Sequence, residues 1–201
     1  MKGKLICIEG IDGSGKTTQV NLLAKALRGR GYDVVILREP TDGVYGRKIR
    51  KMIEEGKTDP EELFKLFLKD RKENIEKNIL PALKNGKIVI MDRYYISTLV
   101  YQSEVGIERI LEAHEKISAP KPDLVIILDI PVDEALRRLK VKSCDSFERR
   151  EILEKHRKQY EKIAKYLREK EKMNVVIIDA TGSEEEVHKK VLREVLEVIK
   201  N

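Results

Sequence analysis

Gly10-Ile11-Asp12-Gly13-Ser14-Gly15-Lys16-Thr17, followed by Thr18, fits the pattern G-x-x-x-x-G-K-[ST]. The apolar run Lys4–Ile8 precedes it and the amphipathic segment Lys16–Arg28 follows, so the motif sits where a strand gives way to a helix. That context gives the pattern its meaning. Glycines let the backbone curl until its N–H groups converge on phosphate oxygens, at the positive end of the following helix. Lys16 would reach the β- and γ-phosphates of ATP, and the Thr17 hydroxyl would ligate Mg²⁺. The nine residues from Gly10 to Thr18 are therefore the candidate phosphate cradle.

Outward from the motif, short apolar runs alternate with longer amphipathic segments. Strands are expected at Lys4–Ile8, Asp33–Leu37, Lys87–Met91, Leu124–Leu128 and Val175–Ile178. Each is almost continuously apolar, as parallel strands covered on both faces must be. Helices are expected at Lys16–Arg28, Gly46–Glu55, Pro60–Lys84, Ser97–Ser118, Asp133–Leu139, Phe147–Glu171 and Ser183–Ile199. Asp59-Pro60 reads as an N-cap before a first-turn proline, Asn85-Gly86 as a helix stop, and Ser183 with Glu186 as a capping box. The alternation implies an α/β sandwich around a parallel sheet. Residues 1–201 carry no repeat, low-complexity tract or linker and read as one domain.

Two further motifs end strands. Asp92-Arg93-Tyr94 follows the third, and Arg38-Glu39-Pro40 follows the second. In open parallel sheets the carboxyl ends of strands face the ligand crevice. Asp92 can hold a metal's water shell, and Arg93 can bridge donor and acceptor phosphates while offsetting transition-state charge. Arg38 is a candidate for the acceptor's phosphate, because a guanidinium fork matches phosphate geometry.

Hydrophobic residues make up 41% of the chain, enough for a globular core, and charged residues 38%, against roughly 25% in an average domain. The charge excess fits the ion-paired surface of a heat-stable protein. The net charge of +6 suits anionic ligands, yet Lys and Arg are interleaved with Glu, as in Glu148-Arg149-Arg150-Glu151 and Arg168-Glu169-Lys170-Glu171. Such runs read as solvated helix faces rather than a nucleic-acid surface. Cys7 and Cys144 make no disulfide framework, and no apolar run approaches membrane-spanning length, so a reduced, cytoplasmic location is expected. His114, His156 and His188 show no metal-ligand spacing and are expected to face solvent.

Taken together, Glu9 through Gln19, Arg38-Glu39-Pro40 and Asp92-Arg93-Tyr94-Tyr95-Ile96-Ser97 resemble the thymidylate kinases, a branch of the P-loop nucleoside monophosphate kinases. Leu63 to Arg71, Tyr101-Gln102 and Phe147-Glu148 also fit that pattern. The resemblance implies transfer of the γ-phosphoryl of ATP to dTMP, a three-layer P-loop fold with a five-stranded parallel sheet, a short helical lid and a homodimer. It also implies roles for single residues. Asp12 would approach the sugar 3′-hydroxyl, Phe67 would stack on thymine and Arg71 would hydrogen-bond its O4. Ser97, Thr98 and Gln102 would line the pocket, and Tyr101 would exclude a 2′-hydroxyl. By its neighbours alone Phe67 reads as helix core, and Tyr101 reads equally well as an ordinary half-buried tyrosine.

The lid would span about 137–148, with Arg138 and then Arg137 supplying the charge that some relatives place inside the P-loop, where this chain has Gly13. Some positions depart from the pattern. Ser146 stands where an arginine is common, Thr41-Asp42-Gly43 replaces Gly-Gly-Thr, and Val100 and Ser103 flank Tyr101-Gln102 in place of Ala and Gly. Two rivals stay open at this level: a kinase of another nucleoside monophosphate, and a nucleotide-hydrolysing switch. A guanine-reading N-K-x-D motif, which many switches carry, is absent from the sequence.

Overall fold

A computed structural model of the chain describes residues 3–57, 59–140 and 146–200, with side chains in the last stretch from residue 149 onward. Five strands form one all-parallel sheet: β1 Lys4–Glu9, β2 Val34–Arg38, β3 Ile88–Asp92, β4 Leu124–Asp129 and β5 Val175–Asp179. Their order across the sheet is β2-β3-β1-β4-β5. The three inner strands are buried almost throughout, whereas edge strand β2 is half-buried beyond Val34 and β5 exposes Ile177 and Asp179. Burial on both faces is why the inner strands could be read from unbroken apolar runs. The register places Ile8 of β1, Arg38 of β2 and Asp92 of β3 in one row at the carboxyl edge. Three motif-bearing loops therefore leave the sheet side by side.

Helices cover both faces. α1 Lys16–Arg28 and α9 Glu184–Lys200 pack on each other and on the sheet, burying Val20, Leu23 and Leu27 of one and Val187, Val191 and Val195 of the other. The expected caps form. Asp59 accepts from Glu62 N at 2.7 Å at the start of α3 Pro60–Asn74, and Ser183 and Glu186 exchange bonds reciprocally before α9. α2 Val44–Glu54 packs on α3 through a small cluster of Ile49, Met52, Leu63 and Leu66.

Two long helices differ from expectation. The segment 60–84 is not one α-helix: α3 passes into a π-turn at Ile75–Ile79 before α4 Leu80–Lys84. Pro81 lies just beyond the turn; it has no N–H, and its ring clashes with an α-helical carbonyl four residues back, so the ladder loosens there. The segment 97–118 is also interrupted. α5 Tyr95–Tyr101 ends, a short 3₁₀ turn follows, and Gly106 at φ 96° restarts the chain as α6 Ile107–Lys116. A left-handed residue cannot continue a helix. After β4, α7 Val132–Leu139 leads toward α8 Ser146–Glu169. Of the lid expected at 137–148, residues 141–145, Cys144 among them, lie outside the described residues, as do the side chains of 146–148.

Candidate active site

The P-loop joins β1 to α1 with Gly10 at φ 140°, Gly13 at 82° and Gly15 at 91°. A side chain at Gly13 would meet the Ala135 carbonyl at 2.7 Å, so nothing larger fits there without the loop or α7 shifting. Positive charge must come from elsewhere. Lys16 is buried at the first position of α1, its Nζ donating to the Ile11 carbonyl at 2.8 Å. Burial, reinforced by the nearby Arg93 cation, pushes its pKa down to about 7. Thr17 Oγ1 donates to Asp92 Oδ2 at 2.7 Å. These two oxygens fit a small hard cation that takes one or two protein ligands and completes its shell with water and phosphate.

The lowered pKa of Lys16 has a measurable consequence. An ordinary lysine titrates near 10.4, so between pH 7 and that value the free loop has lost a proton that bound phosphates require. Nucleotide binding takes up a proton in this window, and affinity falls by up to about tenfold per pH unit as pH rises through it. Calorimetry at about pH 8.5 in two buffers of different ionisation enthalpy reads the uptake. Binding without proton uptake at that pH contradicts the assignment.

Arg93 stands at the centre. Its backbone is left-handed, φ 70°, a conformation that costs a bulky residue on the order of 1–3 kcal/mol. The buried Glu9 carboxylate offsets this by accepting from Tyr94 N at 2.7 Å, from Ser97 Oγ at 2.6 Å and from Tyr160 OH at 3.0 Å. Burial raises the Glu9 pKa, and the Ser97 bond and the Arg93 charge oppose that rise. Arg93 Nη2 donates to Asp12 at 2.5 Å, and Nη1 reaches Gly10 O, Ser97, Tyr101 and Tyr160 at 3.1–3.3 Å. The guanidinium thus touches the P-loop on one side and α5 on the other.

Two hollows meet at Arg93. The larger is an open cleft lined by Asp12 through Gln19, Asp92, Arg137, Arg138 and the turn Ala180–Ser183. Arg138 donates to Glu134 at 2.7 Å and to the Ala180 carbonyl at 3.0 Å, and its Nη1 lies 3.7 Å from where a Cβ on Gly15 would stand. Arg137 is paired to Glu134 and 75% exposed. The smaller hollow, about 270 Å³, is lined by Phe67, Arg71, Tyr94, Ser97, Thr98, Tyr101 and Gln102. Asp12, Glu39, Pro40, Ile53 and Arg93 border both.

The structure brings most of the sequence-derived residues together at the P-loop and around the smaller hollow. Phe67 serves twice, packing on the α2–α3 cluster while lining the hollow. Arg38 borders only the larger cleft; its side chain is 62% exposed and 3.9 Å from Asp42.

Other contributors were missed. Glu39, buried, accepts from Arg71 Nε at 2.7 Å and from Asn74 at 3.2 Å, while burial raises its pKa against the pull of Arg71. Arg50 reaches the Pro40 carbonyl at 2.9 Å and lines the cleft, as does Arg149. Arg149, in a run that reads as solvated helix surface, is exposed and also borders the cleft; its neighbour Arg150 reaches Asp133 across to α7 at 2.5 Å. The expectation that the histidines face solvent fails outright for His114 and in part for His156. His114 is buried beside Arg71, and the half-buried His156 ring lies tilted against Tyr101 with centroids 4.3 Å apart. Among the described residues no helix is long and apolar enough to cross a membrane.

A sequence model described as thymidylate kinase matches residues 8–191. A probable thymidylate kinase of Archaeoglobus fulgidus is 44% identical over 200 residues, covering 98% of this chain and 96% of the relative. The thymidylate kinase of Desulfotalea psychrophila is 46% identical over 159 residues, 76% of this chain and 78% of its own. A probable thymidylate kinase of Pyrococcus horikoshii is 41% identical over 200 residues, with 96% and 95% covered. With a phosphate cradle, a second hollow joined to it at one arginine, and likeness running nearly end to end, the chain belongs to the thymidylate kinase family.

Proposed function

We propose that this protein transfers the γ-phosphoryl group of ATP to dTMP, giving dTDP and ADP. The observation that carries the reading is the junction of the two hollows at Arg93 and Asp12. Triphosphate lies along the P-loop cleft, and the nucleoside monophosphate enters the smaller hollow with its phosphate toward Arg93. An oxygen of the acceptor phosphate forms the new bond to the γ-phosphorus as the bridging bond to the β-phosphate breaks. No protein nucleophile is needed, because positioning and charge stabilisation supply most of the rate.

Lys16 and Arg93 balance charge on the transferring group, and Arg138, with Arg137 beside it, adds to it from α7. Arg38, with Arg50 close by, faces the acceptor phosphate from β2 and α2. Thr17 and Asp92 hold Mg²⁺, which when bound neutralises phosphate charge and orients the triphosphate. Asp12 meets the sugar, Phe67 stacks on the base, Arg71 donates to its 4-oxo group, Ser97, Thr98 and Gln102 complete the walls, and Tyr101 closes on C2′. A single catalytic domain, a homodimer and a cytoplasmic location belong to the same reading, supported by the family resemblance and by the buried free thiol of Cys7.

Product analysis with Mg-ATP and a panel of monophosphates tests it. dTMP is expected to be turned over with a kcat/KM at least about tenfold above dUMP, dCMP, dGMP, dAMP, AMP and UMP. Preference for another acceptor would discard the thymine pocket and keep the kinase. ATP hydrolysis with no acceptor phosphorylated would discard the kinase.

A further inference from the structure

Arg71 is 1% exposed, yet it lines the smaller hollow, and three elements converge to hold it. From the exit of β2, Glu39 Oε2 accepts from Nε at 2.7 Å and stands 2.6 Å from Nη2. From α5, Thr98 Oγ1 accepts from Nη1 at 3.1 Å. From α6, His114 Nε2 meets the same Nη1. The Tyr94 ring lies 5.3 Å beneath the guanidinium carbon. Only Nη2, whose one partner among the described residues is the Glu39 oxygen, keeps an N–H for a ligand in the hollow.

His114 is the unforeseen member. It sits on α6, 3% exposed, facing Arg71 on one side, the Tyr95 ring at 5.0 Å on another and the Ile110 carbonyl at 2.6 Å from Nδ1. A carbonyl can only accept, so Nδ1 carries the proton. Nε2 is then a lone pair, and that is what an arginine N–H requires. A protonated ring, or the other tautomer, would set two donors against each other. Burial, and then the Arg71 charge, push the His114 pKa down to about 2, so the neutral form persists through the working range.

We infer that His114 is a positioning residue for base selection, holding the Arg71 guanidinium at its third point so that one Nη2 N–H is presented to the 4-position of a pyrimidine. The inference rests on the reading of the smaller hollow as the base site. A 4-oxo group accepts that N–H; a 4-amino group points a donor at it and leaves both unpaired. Without the His114 acceptor, an Nη1 proton is orphaned in a buried site, and the guanidinium can turn toward whatever acceptor it finds. Discrimination between oxo and amino bases then weakens before the phosphoryl chemistry does.

The test compares wild type with His114→Leu and His114→Gln, the amide of the latter bringing a carbonyl oxygen near the place of Nε2. His114→Leu is expected to lower kcat/KM for dTMP roughly 10- to 100-fold, mostly through KM, and to shrink the preference for dTMP over dCMP about tenfold. KM for ATP should stay within about twofold, and His114→Gln should recover most of the preference. A purely structural role would move ATP and dTMP parameters together and leave the base preference intact. That result, or glutamine rescuing no better than leucine, overturns the inference.

If the leucine variant does not fold, ¹⁵N spectra of histidine-labelled wild type decide. His114 held as the Nδ1–H tautomer from about pH 5 to 9 supports the role, and an Nε2–H tautomer or a titrating ring overturns it. Wild type that does not phosphorylate dTMP would remove the base-site reading itself. Wild type active on dTMP with an unchanged His114→Leu variant would remove only the positioning role.

Discussion

Arg93→Ala is expected to reduce kcat about 10³- to 10⁵-fold while the circular dichroism spectrum stays that of the wild type. The loss comes from position as much as from charge. The guanidinium is tied to Asp12 and Gly10 on the P-loop and to Ser97, Tyr101 and Tyr160 beyond it. No described neighbour can take over that bridge between the two hollows. The left-handed backbone at residue 93 remains in the alanine variant because Glu9 still holds Tyr94 N, so the fold should persist. Arg93→Lys should stay at least about 10²-fold down, since a single ammonium cannot fork as a guanidinium does. Steady-state kinetics at saturating ATP and dTMP check both variants. A kcat within about tenfold of wild type in Arg93→Ala would remove Arg93 from the catalytic machinery.

Lys16→Ala should lower kcat about 10²- to 10³-fold, with the melting temperature held or raised. Lys16 is buried, with its ammonium disfavoured until phosphate arrives. Removing a cation that the free protein tolerates poorly does not cost stability in the way that removing a core methylene does. Its Nζ bond to the Ile11 carbonyl is lost, but that carbonyl already accepts from Ser14 N at 3.2 Å. Differential scanning fluorimetry beside the kinetics separates the two effects. Unchanged turnover, or unfolding with turnover lost, would contradict this account of the lysine.

The legibility of this molecule follows the range of its interactions. The five strands were readable to within about a residue because a nearly unbroken apolar run, on the half-buried edges as on the covered inner strands, leaves a local mark. So do helix caps, which involve residues three apart. The P-loop was readable because its chemistry lies in consecutive positions. What escaped were pairings across the chain. Glu39 and Arg71 lie 32 positions apart, and Arg71 and His114 lie 43 apart, and nothing near any of them announces the others. For His114 one signal was present. Ile107, Ile110 and Leu111 precede it at helical spacing, and that stripe carries a histidine toward the core. Arg149 gave no such signal, because in a run of alternating charges every position looks solvated until the neighbouring elements are placed. The expected helix 97–118 runs across Gly106, whose φ of 96° breaks it.

The strand order has a consequence for how the protein is made. Of the five strands β1 leaves the ribosome before the others, yet it lies in the middle of the sheet, between β3 and β4. Its partners begin at Ile88 and Leu124. At a synthesis rate of roughly 5–20 residues per second, the apolar strand Leu5–Ile8 waits several seconds with both edges unpaired. In that interval it is a sticky ribbon on a nascent chain, and holding it apart from other such ribbons falls to whatever meets the polypeptide at the tunnel exit. The same placement makes early termination futile: a product that stops before β4 has the phosphate loop but only three of the five strands, with one edge of β1 left bare.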